Sequence, residues 1–347
     1  MLDGPRAATP NEIPEVVRLS NSVFYPDGRI RMERVLPALF AESNVGAIRV
    51  IRDAGRLVAM AGMVISDLRL REVTVRAACI GSVCTTADYR GRGLAGLLME
   101  DVFSHAASRG ALVALISGGR GLYRRMGCID AGLFTVIELV PTHQERASAI
   151  TVRPWSEQDL PVLWELHEKE PVRFVRSRAD MDRLVGARAT FCRPVRTWIA
   201  ETRGRPAAYL CVSGPDDRTG PGVTLVREIA GDRTVVLAAA AAIQEAESAE
   251  RMQIEVPASD ALASLAARKG HSCRPAGMHG TLKVIDITAF RAALAPLFPE
   301  DAPVLPEDPA DLAAAVFGSV ERSAAVPDGA RAGSLPLPLP GYGLSYI

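Results

Sequence analysis

The sequence predicts a mixed α/β (α+β) protein made of two tandem copies of one domain type and a short C-terminal piece. Three observations lead there. Arg6-Ala7-Ala8-Thr9-Pro10-Asn11-Glu12-Ile13-Pro14-Glu15-Val16 aligns without gaps on Arg153-Pro154-Trp155-Ser156-Glu157-Gln158-Asp159-Leu160-Pro161-Val162-Leu163. In each, a short Arg-bearing strand leads through a Ser/Thr cap and an acidic first turn into an apolar-periodic helix. After each, strand and helix patterns follow in the same order, so the repeat reads as a duplicated domain rather than a solenoid. Finally, one strand–basic loop–helix unit, Ala77 to Ala106, stands in the first copy and has no equal in the second.

In the first copy, Gly46 to Asp53 and Arg56 to Ser66 read as hairpin strands joined at Asp53-Ala54-Gly55. Arg76 to Thr85 is the next strand, Gly93 to Arg109 a helix, and Ala111 to Ile116 a buried strand. The turn Gly118-Gly119-Arg120-Gly121 leads to a short helix, Leu122 to Met126, and Leu133 to Val140 is expected to close the domain. In the second copy, Arg196 to Glu201, Pro206 to Ser213 and Thr224 to Ile229 read as strands. An Ala-rich helix, Val235 to Ala249, is followed by strand Met252 to Val256, helix Ser259 to Arg268 and a last strand, Gly280 to Val284. The expected domains are therefore 1–148, 149–284 and 285–347. In the last, Thr288 to Leu297 and Pro309 to Phe317 read as helices. The closing run from Leu335 alternates Leu with Pro, as a polyproline stretch does, whereas its apolar Tyr346-Ile347 end suggests docking.

A length of 347 residues exceeds one ordinary core, and 48% hydrophobic residues mark a globular chain. Forty basic residues balance forty acidic ones, so charge gives no reason to expect a nucleic acid or an anionic membrane as partner. The six cysteines (79, 84, 128, 192, 211, 273) form no CxxC pair and no Cys/His cluster, so no metal is expected and the thiols read as reduced. Charges at Asp3, Arg6, Glu12, Glu15 and Arg18 argue against a signal peptide. The longest apolar runs, such as Val235 to Ile243, are too short to span a bilayer. The expectation is a cytoplasmic protein.

The unit Arg90-Gly91-Arg92-Gly93-Leu94-Ala95 carries the chemistry. It follows the apolar strand ending at Val83-Cys84-Thr85 and opens a helix in which Leu94, Leu98, Val102 and Ala106 recur at helical spacing. Glycines let a ligand approach the backbone, while first-turn N–H groups and the helix dipole face an anion. Two arginines add charge-assisted donors. These features predict a pyrophosphate site, and the second copy, with Gly231-Asp232-Arg233 at this place, should lack it because Asp232 repels such a ligand.

On these residues the chain resembles the GNAT superfamily of N-acetyltransferases, whose acetyl-CoA motif is a strand followed by Arg/Gln-x-x-Gly-x-Gly/Ala at a helix start. Arg90, Gly93 and Ala95 occupy the defining positions. A GNAT domain, a degenerate second GNAT domain and a C-terminal piece together resemble the enhanced intracellular survival (Eis) group of aminoglycoside acetyltransferases. Ser117-Gly118-Gly119-Arg120-Gly121-Leu122-Tyr123-Arg124-Arg125-Met126-Gly127 resembles that group's glycine turn and general-acid tyrosine, and Leu282 to Ile287 its entry to a sterol-carrier-like third domain. Three departures stand out. Only about 60 residues follow Val284, Gly118 replaces the group's serine with Ser117 one place earlier, and the apolar last residue is Ile347 where the group's best-known member has an aromatic one.

The resemblance implies acetyl-CoA as acyl donor and direct acetyl transfer to a primary amine of a small molecule, such as an aminoglycoside, another amino sugar or a polyamine-like compound. It also implies a homo-oligomer. Val83, Cys84 and Thr85 would hold the pantetheine and carbonyl. Arg90, Gly91, Arg92, Gly93, Leu94 and Ala95 would take the pyrophosphate, with Ser117 and Gly118 beside the cofactor; Arg92 serves equally as a solvated surface charge. Tyr123 would be the general acid, since a phenol of pKa ~10 suits a leaving thiolate; the alternative is a core tyrosine. The base implied is the terminal carboxylate of Ile347, with Glu138 and, more remotely, His105 as rivals. Phe24, Tyr25 and Asp27, after the first helix, would form the amine pocket, or else a hydrophobic staple and a loop acid. Cys84 has no His neighbour to make it a thiolate and is set aside as nucleophile. Two other functions stay open: a protein lysine acetyltransferase and a noncatalytic acetyl-CoA-binding protein.

Overall fold

A computed structural model describes residues 2–139, 150–191, 193–215, 219–298, 305–320 and 335–347. The first copy comprises β1 (Leu2–Ala7), α1 (Ile13–Phe24), α2 (Met32–Val35), β2 (Arg49–Asp53), β3 (Arg56–Leu70) and β4 (Val73–Thr85). It continues through α3 (Leu94–Ser108), β5 (Val113–Ile116), α4 (Gly121–Arg125) and β6 (Leu133–Glu138). The second begins with β7 (Ile150–Pro154), α5 (Leu160–Glu168), β8 (Val172–Phe174), α6 (Arg178–Gly186), β9 (Ala189–Thr190), β10 (Arg193–Thr202) and β11 (Arg205–Ser213). Then come β12 (Val223–Gly231), α7 (Arg233–Ala246), β13 (Arg251–Pro257), α8 (Ala261–Arg268), β14 (Ser272–Gly277) and β15 (Thr281–Val284). The tail carries α9 (Ile287–Leu294) and α10 (Pro309–Phe317); its described residues hold no further strand.

The repeat seen in the sequence is physical. Thr9 and Glu12 form a capping box before α1, and Arg6 reaches Glu12 at 2.8 Å. Ser156 and Asp159 form the same box before α5, with Arg153 on Asp159 at 2.7 Å. Each carboxylate thus satisfies helix-start N–H groups while neutralising a strand arginine.

The strands form two sheets, ordered β1-β2-β3-β4-β5-β15 with β8 beside β3, and β14-β6-β13-β12-β11-β10-β7 with β9 beside β10. The copies therefore trade their last strands. β6, expected to close the first domain, lies in the second sheet between β13 and β14, and Val140 falls outside the described residues. β15, expected as the last strand of the second copy, pairs antiparallel with β5 of the first, Thr281 opposite Ile116. Both strands are short, and local pattern does not say which sheet a short strand joins, so long-range pairing decides their place.

α3 lays Leu94, Leu98, Met99, Val102 and Ala106 on Ala59, Ala61, Met63, Ala78 and Ile80 of the first sheet. The other face of that sheet is covered by the tail: Phe290, Leu294, Leu312, Val316 and Phe317 pack with Val75, Ala77, Cys79, Val113 and Leu115. The Leu-Pro run is docked there too, with Leu337, Leu339, Tyr342, Leu344 and Ile347 all buried. Burying each large apolar side chain is worth roughly 1.5–3 kcal/mol, enough to hold a run that makes no regular backbone pairing.

Candidate active site

The site forms where β4 leaves β5. Parallel pairing of the two ends at Ile80 opposite Ile116. Next to it a bulge places Ser82 and Val83 of β4 opposite Ala61 alone, since Cys84 pairs with Met60 and Gly81 with Gly62. Ser82 adopts φ +53°, unusual for a residue with a side chain, and its Oγ is tied to Ser20 Oγ at 2.7 Å in a buried contact. The bulge bends the strand, so Val83, Cys84 and Thr85 keep a sheet neighbour only on the β3 side. Backbone groups on the other side are left to face a ligand.

A cleft of about 570 Å³ opens at this splay, lined by Val83, Cys84, Thr85, Arg90, Gly91, Gly93, Leu94 and Ala95 and, across it, Tyr123. Gly91 and Gly93 have φ of +77° and +79°, and a side chain at either would meet nothing within 4 Å. The helix start is thus both in a glycine conformation and open above, as a diphosphate requires. Arg90 lines the cleft, with Nε donating to the Thr85 carbonyl at 3.4 Å. Arg92 lies outside that lining: its guanidinium stacks 4.4 Å over the Tyr89 ring and donates to the Asp88 carbonyl. Arg120 and Arg125 also line the cleft, together with Val23, Tyr89 and Leu122. Sequence reasoning passed over these two arginines because they belong to the tyrosine turn, not to the glycine loop.

The second copy differs at the equivalent helix start. At the start of α7, Asp232 accepts from the N–H groups of Thr234 and Val235 at 2.8 and 3.1 Å. An internal carboxylate occupies the donors that α3 leaves available behind Gly93.

Tyr123 is buried on the far wall, held by α4, and a side chain at Gly118 would touch its ring at 3.3 Å. Burial pushes its phenol above the ordinary value, with Arg120 opposing, so it is protonated at neutral pH. Burial also pushes the Cys84 thiol up to about 12, leaving no thiolate. Ser117 donates its N–H to the Ile80 carbonyl at 3.1 Å, beside Gly81.

There the chain end arrives. A side chain at Gly81 would collide with the terminal carboxyl group of Ile347 and lie 3.1 Å from Ser117 Oγ. Ile347 also lines a second cavity of about 370 Å³ with Ser66, Asp67, Cys79, Asp180 and Tyr346. None of Phe24, Tyr25 and Asp27 lines it. Phe24 faces the glycine-loop cleft, Tyr25 packs against the core, and Asp27 is half exposed beside Arg29 at 3.3 Å. Glu138 lies in the second sheet, where Arg251 at 2.6 Å holds its carboxyl below the usual range. His105 is on α3, its Nε2 buried without a partner and its pKa lowered first by burial and then by Arg49. Among the described residues no group of three or more His, Cys, Asp or Glu could hold a metal, and no helix is long and apolar enough to cross a membrane.

Residues 5–129 match the acetyltransferase (GNAT) domain family. No curated protein matches the chain in sequence. Solved structures resemble it in fold. An Enterococcus faecalis protein described as a probable N-acyltransferase aligns at TM-score 0.64 and 14% identity, over 84% of this chain and 74% of its own. A GCN5-related N-acetyltransferase from Kribbella flavida aligns at 0.61 and 17%, over 84% and 73%. Eis1 from Mycobacterium abscessus aligns at 0.61 and 15%, over 84% and 76%.

Proposed function

We propose that the chain is an acyltransferase that moves the acetyl group of acetyl-CoA directly to a primary amine of a small molecule. The match of residues 5–129 to the GNAT acetyltransferase domain and the fold shared with Eis1 support this reading. GNAT acetyltransferases use acetyl-CoA, and the residues here suit that donor: an open glycine helix start, Arg90, Arg120 and Arg125 for phosphates, and one-sided backbone at Val83 to Thr85 for pantetheine.

The observation that carries the reading is the place of the Ile347 carboxyl. It packs against Gly81, two residues before Val83 of the glycine-loop cleft, and Ile347 also lines the second cavity. In this reading the amine enters the second cavity and gives up a proton to the Ile347 carboxylate, directly or through one water. Its nitrogen bonds to the acetyl carbon as the carbon–sulfur bond breaks. Tyr123 Oη protonates the departing thiolate, and N–H groups of the Val83–Thr85 strand steady the carbonyl oxygen. Cys84, protonated, takes no part as nucleophile.

The second cavity is lined by Asp67 and Asp180 together with Arg76, Arg176 and Arg183. The Ile347 carboxylate and the two aspartates thus only balance its arginines, and the acceptor amine is expected to bind largely through neutral polar contacts. The cavity is walled by β3, β4, α6 and the chain end, which suits an amino sugar, an aminoglycoside or a polyamine better than a peptide strand in an open groove. Thiol release from acetyl-CoA over a panel of these amines and a lysine peptide tests the proposal. Turnover on small amines is expected. Turnover on the peptide alone would transfer the activity to proteins, and acetyl-CoA binding without any turnover would refute catalysis.

A further inference from the structure

The second copy has lost its own ligand site, yet it grips the chain end at the equivalent place. β12 leaves β13 beyond the pair Val226–Ile254, as β4 leaves β5 beyond Ile80–Ile116. Glu228 stands just past that point. It is buried against Arg176, accepting from its two terminal nitrogens at 2.7 and 2.8 Å, and accepts from Tyr209 Oη at 2.7 Å. Burial works against its charge, but Arg176 prevails and holds the carboxyl down to about 2. His167 is held by burial and then by Arg176 down to about 4, so it stays neutral beside the pair.

Apart from a weak contact of Arg176 Nη1 to Met181 Sδ at 3.8 Å, the remaining side-chain bonds of this pair go to the tail. Leu344 N–H donates to Glu228 Oε2 at 2.7 Å. Arg176 donates to Ser345 Oγ from Nη2 at 2.8 Å and from Nε at 3.1 Å. Thr190 Oγ1 donates to the Gly343 carbonyl. Gly343 has φ +50°, and a side chain there would collide with the Glu228 carboxylate. Tyr346 then stacks on Phe191 at 4.1 Å, and the next residue is Ile347.

A buried ion pair contributes little net stability compared with apolar residues of equal volume, so its contacts point to a directing role. Leu344 and Ser345 are fixed by it three and two residues before the carboxyl that reaches Gly81. We infer that Glu228 and Arg176 are positioning residues for acetyl transfer: the second copy is a clamp that places the Ile347 carboxylate at the reacting centre of the first. This rests on that carboxylate being the base.

The test uses the full chain and steady-state thiol release. Ser345→Ala disturbs the clamp from the tail side while leaving the ion pair whole, and Gly343→Ala pushes the tail away from the Glu228 carboxylate. Replacing both partners, Arg176→Met with Glu228→Leu, removes it without an unpaired buried charge. Each is expected to lower kcat at least tenfold with KM for acetyl-CoA changed less than twofold, and Ser345→Thr is expected to recover most of the Ser345→Ala loss. Normal kcat in folded Gly343→Ala and Ser345→Ala would overturn the inference. A chain extended by two glycines after Ile347 separates the two claims. If the extended chain is inactive and the clamp variants are active, the base reading stands and the clamp fails. If it is fully active, both fall.

Discussion

The terminal carboxyl group of Ile347 takes the space that a side chain at Gly81 would fill. Gly81 is not in a left-handed conformation, so its backbone accepts alanine and the chain end is the main obstacle, with Ser117 Oγ a tight second neighbour at 3.1 Å. Gly81→Ala should therefore displace Ile347 without disturbing the glycine loop. We expect kcat to fall at least tenfold with acetyl-CoA affinity, measured by calorimetry, within twofold of the parent. Equal loss of both would mean that the collision is felt in the donor cleft instead.

Tyr123→Phe removes the proposed proton donor and little else, since the ring stays packed against Gly118. A loss of ~10²–10⁴-fold in kcat is the range for general acid catalysis. The acid works when protonated, and burial raises its pKa above the ordinary phenol value. Activity that depends on Tyr123 should thus persist through neutral pH and decline only as pH rises beyond ~10. A pH–rate profile of the parent and variant checks both points.

Arg90 and Arg92 look equivalent in sequence but differ in place. Arg90 lines the cleft, whereas Arg92 is stacked on Tyr89 and bonded to the Asp88 carbonyl. A charge-assisted bond to a phosphate is worth roughly 1.5–3 kcal/mol, so Arg90→Ala should raise KM for acetyl-CoA by one order of magnitude or more. Arg92→Ala should change it much less. A titration against salt sharpens the contrast, because only the Arg90 effect should shrink as ionic strength rises.

Acid should loosen the first copy through Glu12. The Arg6 side chain above all, then the Thr9 cap against the cost of burial, hold this carboxyl at about 2 instead of 4.5. A depressed carboxylate stabilises the fold above its unfolded value, and that contribution disappears as pH falls through the folded one. Thermal melts should show a fall in Tm between about pH 4.5 and 2. Glu12→Gln should melt lower at neutral pH and lose part of this acid dependence.

Local chemistry was the legible part of the sequence. Leu94, Leu98, Val102 and Ala106 recur on one helical face, and α3 buries all four. Arg6 and Arg153, with their capping carboxylates, announced a duplication that the fold repeats. Glycines 91 and 93 marked the loop because positive φ favours them. What stayed hidden depends on residues far apart. Nothing in Leu133 to Glu138 reveals which sheet it joins, and its partner Arg251 is recognisable only once β6 lies beside β13. Arg120 and Arg125 reach the cleft by the length of their side chains from a turn read for its tyrosine. The second cavity draws on β3, β4, α6 and the chain end, and the pair of Arg176 with Glu228 joins a loop to a distant strand. Periodicity carries no information about such meetings.

The exchange of β6 and β15 also dictates the order of assembly. β5, the strand beside which the donor cleft opens, receives its outer partner only after the whole second sheet has been synthesised. During translation the first half must wait with an open edge, a state that is slow to resolve and prone to wrong pairing. A fragment ending at residue 148 would keep the glycine loop and Tyr123 but lack β15, while its own β6 would have no sheet to enter. Each half thus needs a strand from the other to complete its sheet.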